Sequence, residues 1–227
     1  MLSIALDGPV GAGKTTIARE LAKRLGFLYV DTGALYRSIG KYVLDQGGDP
    51  SRPADTVPAL GKITLQLRYN DARQQRVYLN GEDVSDQIRT PAVSMAASQV
   101  GSISEVREFL LSLQRDIARQ NNVVMDGRDI GTTILPDASL KIFLTASAEA
   151  RAARRHRELS EKGDPSTFEQ VLEDLKKRDY DDSHRAASPL AQAPDAVLVD
   201  TTSLSLEESI DELETRTRNR LFQRDGR

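Results

Sequence analysis

The 227-residue sequence contains no cysteine, so disulfides, zinc–thiolate sites and thiol nucleophiles are excluded. It lacks a basic excess: 31 Lys and Arg stand against 34 Asp and Glu, for a net charge of −3, which argues against an extended nucleic-acid surface. Long apolar runs are missing too. Met1 leads through Leu2–Leu6 straight to Asp7, a stretch too short and wrongly flanked for a signal peptide, and no later run approaches a membrane span. The expectation is a cytoplasmic chain without a membrane or nucleic-acid partner. Only two histidines occur, His156 and His184, both set among charged residues, where solvated or structural roles suit them better than catalysis. Lysine is scarce relative to arginine, since 23 of the 31 basic residues are Arg. Guanidinium groups fit phosphate bidentately, although the same bias also suits a solvated surface.

What is present reads as alternating strands and helices. Leu2–Leu6 is a short apolar strand, followed by a Gly-rich turn and a helix over Lys14–Leu25, where Ile17, Ala18, Leu21, Ala22 and Leu25 recur at helical spacing. Further strands are predicted at Phe27–Val30, Val123–Met125, Leu140–Leu144 and Ala196–Val199. Helices are predicted at Gly33–Asp45, Pro53–Leu60, Pro91–Val100, Ser104–Gln120, Ala148–Leu159, Thr167–Asp181 and Leu206–Leu221, ahead of a frayed tail Gln223–Arg227. Across 62–87 the period changes to two, and Asn80-Gly81 signals a hairpin, so this stretch reads as a small antiparallel insert of two or three strands. Strand–helix alternation on both sides of the insert implies an α/β fold, a P-loop NTPase-type parallel sheet with helices on both faces. The polar clusters Asp7–Lys14, Asp31–Gly33 and Asp126–Asp129 each follow a strand, and sites in such sheets lie at the carboxyl ends of strands.

Gly8-Pro9-Val10-Gly11-Ala12-Gly13-Lys14-Thr15 matches G-x-x-x-x-G-K-[ST] in full. Its glycines let successive N–H groups turn inward on phosphate oxygens, and the helix that follows adds its positive end. Lys14 is expected on the β- and γ-phosphates of a nucleoside triphosphate and the Thr15 hydroxyl on Mg²⁺. Asp126 has the position of an acid that holds Mg²⁺ through water; its bland alternative is a turn-forming Asp before Gly127. The motif alone admits GTPases, motor ATPases and small-molecule kinases, and the absence of an N-K-x-D motif counts against a GTPase switch.

Several further segments carry arginine beside carboxylate: Asp31-Thr32-Gly33-Ala34-Leu35-Tyr36-Arg37, Ser98-Gln99-Val100, Val106-Arg107-Glu108, Asp126–Thr132, Arg178–Asp182 and Arg185–Leu190. Each Arg by itself could be a surface ion pair. Their order and wording resemble bacterial-type cytidylate kinases over residues 2–210, most specifically in Asp31–Arg37, Ser98–Val100 and Asp126–Thr132. One local departure is Thr15-Thr16, where some members carry glycine or serine after the lysine. The resemblance implies transfer of the γ-phosphate of ATP to CMP and dCMP with Mg²⁺, in a monomer. The donor is expected in the cradle Gly8–Thr16, with Arg154 and Arg155 as further contacts. The resemblance assigns the acceptor to Thr32, Tyr36, Arg37, Ser98, Arg107, Arg128, Asp129, Asp182 and Arg185, and catalysis to Lys14, Arg128 and Arg178. Asp129 would accept from the cytosine amine while Arg107 and Ser98 donate to the ring acceptors; uracil would leave that carboxylate unpaired. The role of Asp182 toward ribose or deoxyribose stays open.

The chain is expected to form a single P-loop kinase unit over 1–227, with a core at 1–33, 101–150 and 186–227, an acceptor-binding region at 34–100 and a lid near 151–185 with its loop at Ser160–Ser166. Arg151, Arg154 and Arg155 share one helical face by their spacing, so lid closure is expected to bring one or two of them onto the transferring phosphoryl group; a merely solvated face is the alternative. Two rival readings remain at this point: another small-substrate P-loop kinase (for UMP, AMP or shikimate), and a nucleotide-binding switch without turnover.

Overall fold

The computed structural model describes residues 1–72, 74–161 and 163–222. The tail Gln223–Arg227 and Lys162 of the expected lid loop lie outside the described residues. The described residues form two compact units, one of Met1 with those of 28–122, the other of Leu2–Phe27 with those from Val123 onward.

The second unit is built on parallel strands β1 (Ser3–Asp7), β6 (Val123–Asp126), β7 (Leu140–Thr145) and β8 (Val197–Asp200), ordered β6-β1-β7-β8. Ile4, Leu6, Met125, Ile142 and Leu144 are wholly buried, which is why β1, β6 and β7 read as continuous apolar runs. Helix α1 (Lys14–Leu25) packs on β6 and on α8 (Leu206–Phe222). Arg24, near the end of α1, bonds Glu207, Asp211 and Glu214 of α8. Helices α6 (Ala148–Ser160) and α7 (Phe168–His184) pair around Ala152, Val171 and Leu175.

The first unit opens with β2 (Leu28–Asp31) and α2 (Thr32–Asp45), whose N-cap Asp31 accepts the Ala34 N–H. α3 (Pro53–Leu60) precedes the antiparallel insert β3 (Leu65–Tyr69), β4 (Gln75–Leu79) and β5 (Glu82–Asp83). Asn80 and Gly81 both take positive φ (52° and 86°), as the predicted hairpin turn requires. α4 (Pro91–Val100) and α5 (Ser104–Gln120) complete the unit, which shares one apolar core including Leu35, Ile39, Val77, Ile88, Val100, Val106 and Leu110.

The α/β class with a parallel sheet and a small antiparallel sheet agrees with the sequence expectation, and three strands fill the insert. Differences lie at element ends. Strands β1, β2, β6, β7 and β8 end one residue later than the apolar runs suggest, and β1, β2 and β8 also begin one residue later, so that β1, β2, β6 and β8 each terminate on an aspartate. Pairing carries the backbone one step past the core: Leu6 still stands opposite Asp126, and Asp7 opposite Phe143. α7 runs on to His184, and Thr167 is its cap, with Gln170 closing a reciprocal box. Ile130–Ile134 forms a π-helical turn that no periodicity announces.

Candidate active site

The phosphate cradle is where the motif places it, between β1 and α1. Gly8, Gly11 and Gly13 take φ of 149°, 75° and 84°, values that side chains oppose. At Gly8 a Cβ would stand 2.0 Å from the Leu144 carbonyl oxygen, so the loop leaves β1 too close to β7 for any other residue. Ala12 is fully buried, Pro9 is buried and Val10 half-buried, while Thr16 faces solvent. Lys14, only 5% exposed, donates to the carbonyls of Gly8 and Pro9 at 2.7 and 2.6 Å. Burial, and then the Arg128 guanidinium, push its pKa well down; Asp126, Asp182 and Asp7 oppose that shift.

Thr15 Oγ1 donates to Asp126 Oδ2 at 3.1 Å, although 111 residues separate them. This hydroxyl and carboxylate are hard oxygen donors of the kind Mg²⁺ takes. Among the described residues no cluster of three or more His, Asp or Glu forms a metal cage by itself.

Asp7, which sequence reasoning did not assign to the site, holds the next segment in place. Its two carboxylate oxygens accept the N–H groups of Ile130 and Gly131 at 2.8 and 2.7 Å, the start of the π-helical turn. Burial pushes its pKa up to about 6; the two N–H bonds work against that, Asp129 adds to it and Lys14 lowers it. The legible signal was an acid closing β1 directly before the first glycine of the cradle.

Beyond this turn the second unit holds two further acid–arginine pairs. Arg128 Nε donates to Asp182 Oδ2 at 2.8 Å, and Arg185 Nη2 stands 3.4 Å from buried Asp129. Burial acts to raise the Asp182 pKa, but the charge of Arg128, with Arg178 and Arg185, overcomes it and holds the carboxyl below its usual range. The structure thus brings Lys14, Thr15, Asp126, Arg128, Asp129, Asp182 and Arg185 into one connected charge set, with half-buried Arg178 on the same helix as Asp182.

Three lid-helix arginines separate despite their shared spacing. Arg151 is buried, against the expectation of a phosphate-seeking side chain: it bonds the Val10 and Ala146 carbonyls and pairs with Asp179. Arg154 donates to the Thr201 carbonyl, and Arg155 pairs with Glu158 at 3.1 Å near solvent. His184 stacks on Tyr180 with ring centroids 4.0 Å apart, and His156 meets Phe168 edge-on.

The first unit carries the other predicted residues. Thr32 is buried at the start of α2, and Tyr36 and Arg37 follow in the same helix. Arg37 Nη2 bonds Asp31 Oδ2 at 2.6 Å, with Arg89 3.9 Å from the same oxygen. The Arg107 guanidinium lies 5.8 Å from the centre of the Tyr36 ring and donates to the Gly101 carbonyl. Ser98 is half-buried on α4. Gln75 of the insert bonds both the N–H and the carbonyl of Asp31, so β4 steadies the strand end that caps α2.

The family model described as cytidylate kinase matches residues 4–219. A cytidylate kinase from Caldicellulosiruptor bescii is 50% identical over 207 residues, covering 91% of each chain. One from Caldanaerobacter subterraneus subsp. tengcongensis is 50% identical over 210 residues, covering 92% of each. Among solved structures, an uncharacterized protein from Eubacterium ventriosum superposes with a TM-score of 0.53 at 12% identity, over 95% of this chain and 98% of that one, a likeness of fold alone.

Proposed function

The chain belongs to the cytidylate kinase family, and from that premise we propose how its residues transfer the γ-phosphate of ATP to CMP, and to dCMP as well. It is a nucleoside monophosphate kinase with ATP as the phosphate donor. The observation that carries the residue-level reading is the buried Lys14, enclosed by cradle carbonyls and joined electrostatically to Arg128, Asp126 and Asp182. A desolvated cation in a glycine-lined nest is matched to polyphosphate.

The cradle Gly8–Thr16 holds the triphosphate, with Arg154 and Arg155 as further donor contacts. Thr15 and, through water, Asp126 would hold Mg²⁺, which supplies charge neutralisation on phosphate oxygens when bound. The family resemblance assigns CMP binding to Thr32, Tyr36, Arg37, Ser98, Arg107, Arg128, Asp129, Asp182 and Arg185. Asp129 accepts from the cytosine amine. An oxygen of the CMP phosphate attacks the γ-phosphorus while the bond to the β,γ-bridging oxygen breaks, releasing ADP. Because the second pKa of a phosphate monoester is about 6, the attacking oxygen is already ionised and no general base is required. Lys14, Arg128 and Arg178 offset the charge of the transferring group, so catalysis rests on alignment and electrostatics. We also assign the chain to the cytoplasm as a monomer; no helix among the described residues is long and apolar enough to cross a membrane.

A coupled ADP-release assay with CMP, dCMP, UMP, AMP and shikimate tests the reaction. CMP and dCMP are expected to be turned over and shikimate not. Repeating the panel with Asp129→Asn tests the base reader: preference for cytosine over uracil should collapse, and a variant that keeps full discrimination would remove Asp129 from that role.

A further inference from the structure

Arg151 lies within the first turn of α6, and its side chain is only 6% exposed. Every nitrogen of the guanidinium has a partner on a different element. Nε donates to the Ala146 carbonyl at 2.9 Å, just past β7. Nη1 donates to the Val10 carbonyl of the cradle at 2.8 Å, and Nη2 pairs with Asp179 Oδ2 of α7 at 2.7 Å. The cradle meets these helices directly as well. The Val10 side chain packs on the apolar cluster of Ala152, Val171 and Leu175, and a Cβ at Gly11 would stand 3.3 Å from Arg151 Cβ. The other oxygen of Asp179 is buried without a hydrogen-bond partner, so Arg151 is the ion partner that keeps this carboxylate in place. Its neighbour in sequence is Arg178.

We propose that Arg151 is a positioning residue that couples the phosphate cradle to α7 and so fixes where Arg178 stands during phosphoryl transfer. The inference rests on the reading of Arg178 as a contact to the transferring group. A planar guanidinium can serve two partners in fixed directions at once, whereas an ammonium is a point charge on a flexible stem. Arg151 therefore does not reach phosphate. It transmits the geometry of a filled cradle to the helix behind it, and Asp179 is the receiving end.

Steady-state kinetics with ATP and CMP on a double-mutant cycle separate this from a plain structural clamp. Asp179→Asn cuts only the α7 half of the link, so kcat should fall about 10- to 100-fold, the range of a misplaced catalytic group, while the ATP KM stays within about twofold. Arg151→Lys, which also loosens the cradle, should lower kcat and raise the ATP KM together. In an Arg178→Ala background Asp179→Asn should cause no further loss of kcat. Multiplying losses in that background, or an unchanged kcat in Asp179→Asn alone, overturns the proposal. If Arg178→Ala by itself leaves kcat intact, the reading of Arg178 is what fails, and the link has no catalytic group to place. Should Asp179→Asn not fold by circular dichroism, the same cycle run with Arg151→Lys decides.

Discussion

Asp7 carries its charge where the surroundings resist it. The carboxyl is buried and its pKa is raised from 3.8 to about 6, so between those values the folded protein keeps a proton that the unfolded chain has released. Folding stability from this group is therefore fully present below pH 3.8 and is lost as pH rises through about 6. Asp7→Asn replaces the anion with a neutral group of the same shape that still offers one acceptor to Ile130 or Gly131. Relative to this variant, the wild type should lose on the order of 3 kcal/mol in unfolding free energy between pH 4 and pH 7. Urea titrations across that range measure it, and parallel curves for the two proteins would refute the shift. Asp182 runs the other way: its depressed pKa contributes stability above the ordinary carboxylate range, lost as pH falls below it. Neither behaviour was legible in the sequence. An aspartate closing a strand looks the same whether two N–H groups from 123 and 124 residues away meet it or not.

At the scale of elements, local rules went far. Helices α3, α4 and α5 have the limits expected from their apolar spacing, Asn80-Gly81 turns the hairpin, and the cradle sits between strand and helix. Two things were hidden because their causes are distant. The π-helical turn Ile130–Ile134 is set by Asp7, and the division of labour among Arg151, Arg154 and Arg155 is set by Asp179, Thr201 and Glu158. Helical spacing puts three arginines on one face but does not reveal which becomes buried. The packing of α2 on α4 makes a further test. A Cβ at Gly40 would stand 2.8 Å from Ala96 Cβ and 3.0 Å from the Ala96 backbone carbon. Gly40→Ala should gain about 1 kcal/mol in helix propensity. Overpacking should take back about 1–3 kcal/mol, so the variant melts at or below the wild type. Adding Ala96→Gly should recover part of the loss, because it removes the nearest atom and leaves the backbone contact. A Gly40→Ala variant more stable than wild type would show that the helices separate at little cost.

For the whole molecule the instructive contrast is between a net charge of −3 and ligands that are themselves polyanions. Binding must then come from local cation placement rather than from the overall field. The cradle was readable because one contiguous eight-residue string specifies it, whereas the residues proposed for the acceptor are scattered along the chain: Thr32, Tyr36, Arg37, Ser98, Arg107, Arg128, Asp129, Asp182 and Arg185. No single window of sequence holds that set; only the resemblance of scattered segments to a family assembled it. With different residues proposed for donor and acceptor, their contributions to stability should separate. A ligand at 100 times its Kd adds about 2.7 kcal/mol to unfolding free energy. In a chain of this length that corresponds to a rise of about 5–10 °C in Tm. ATP with Mg²⁺ and CMP should each raise Tm alone, with UMP giving less than CMP. Lys14→Ala should lose the ATP response and keep that of CMP, and Asp129→Asn should keep the ATP response while CMP and UMP become equal. If Lys14→Ala abolishes both responses without unfolding the protein, donor and acceptor recognition are not separable, and the assignment of distinct residues to each fails.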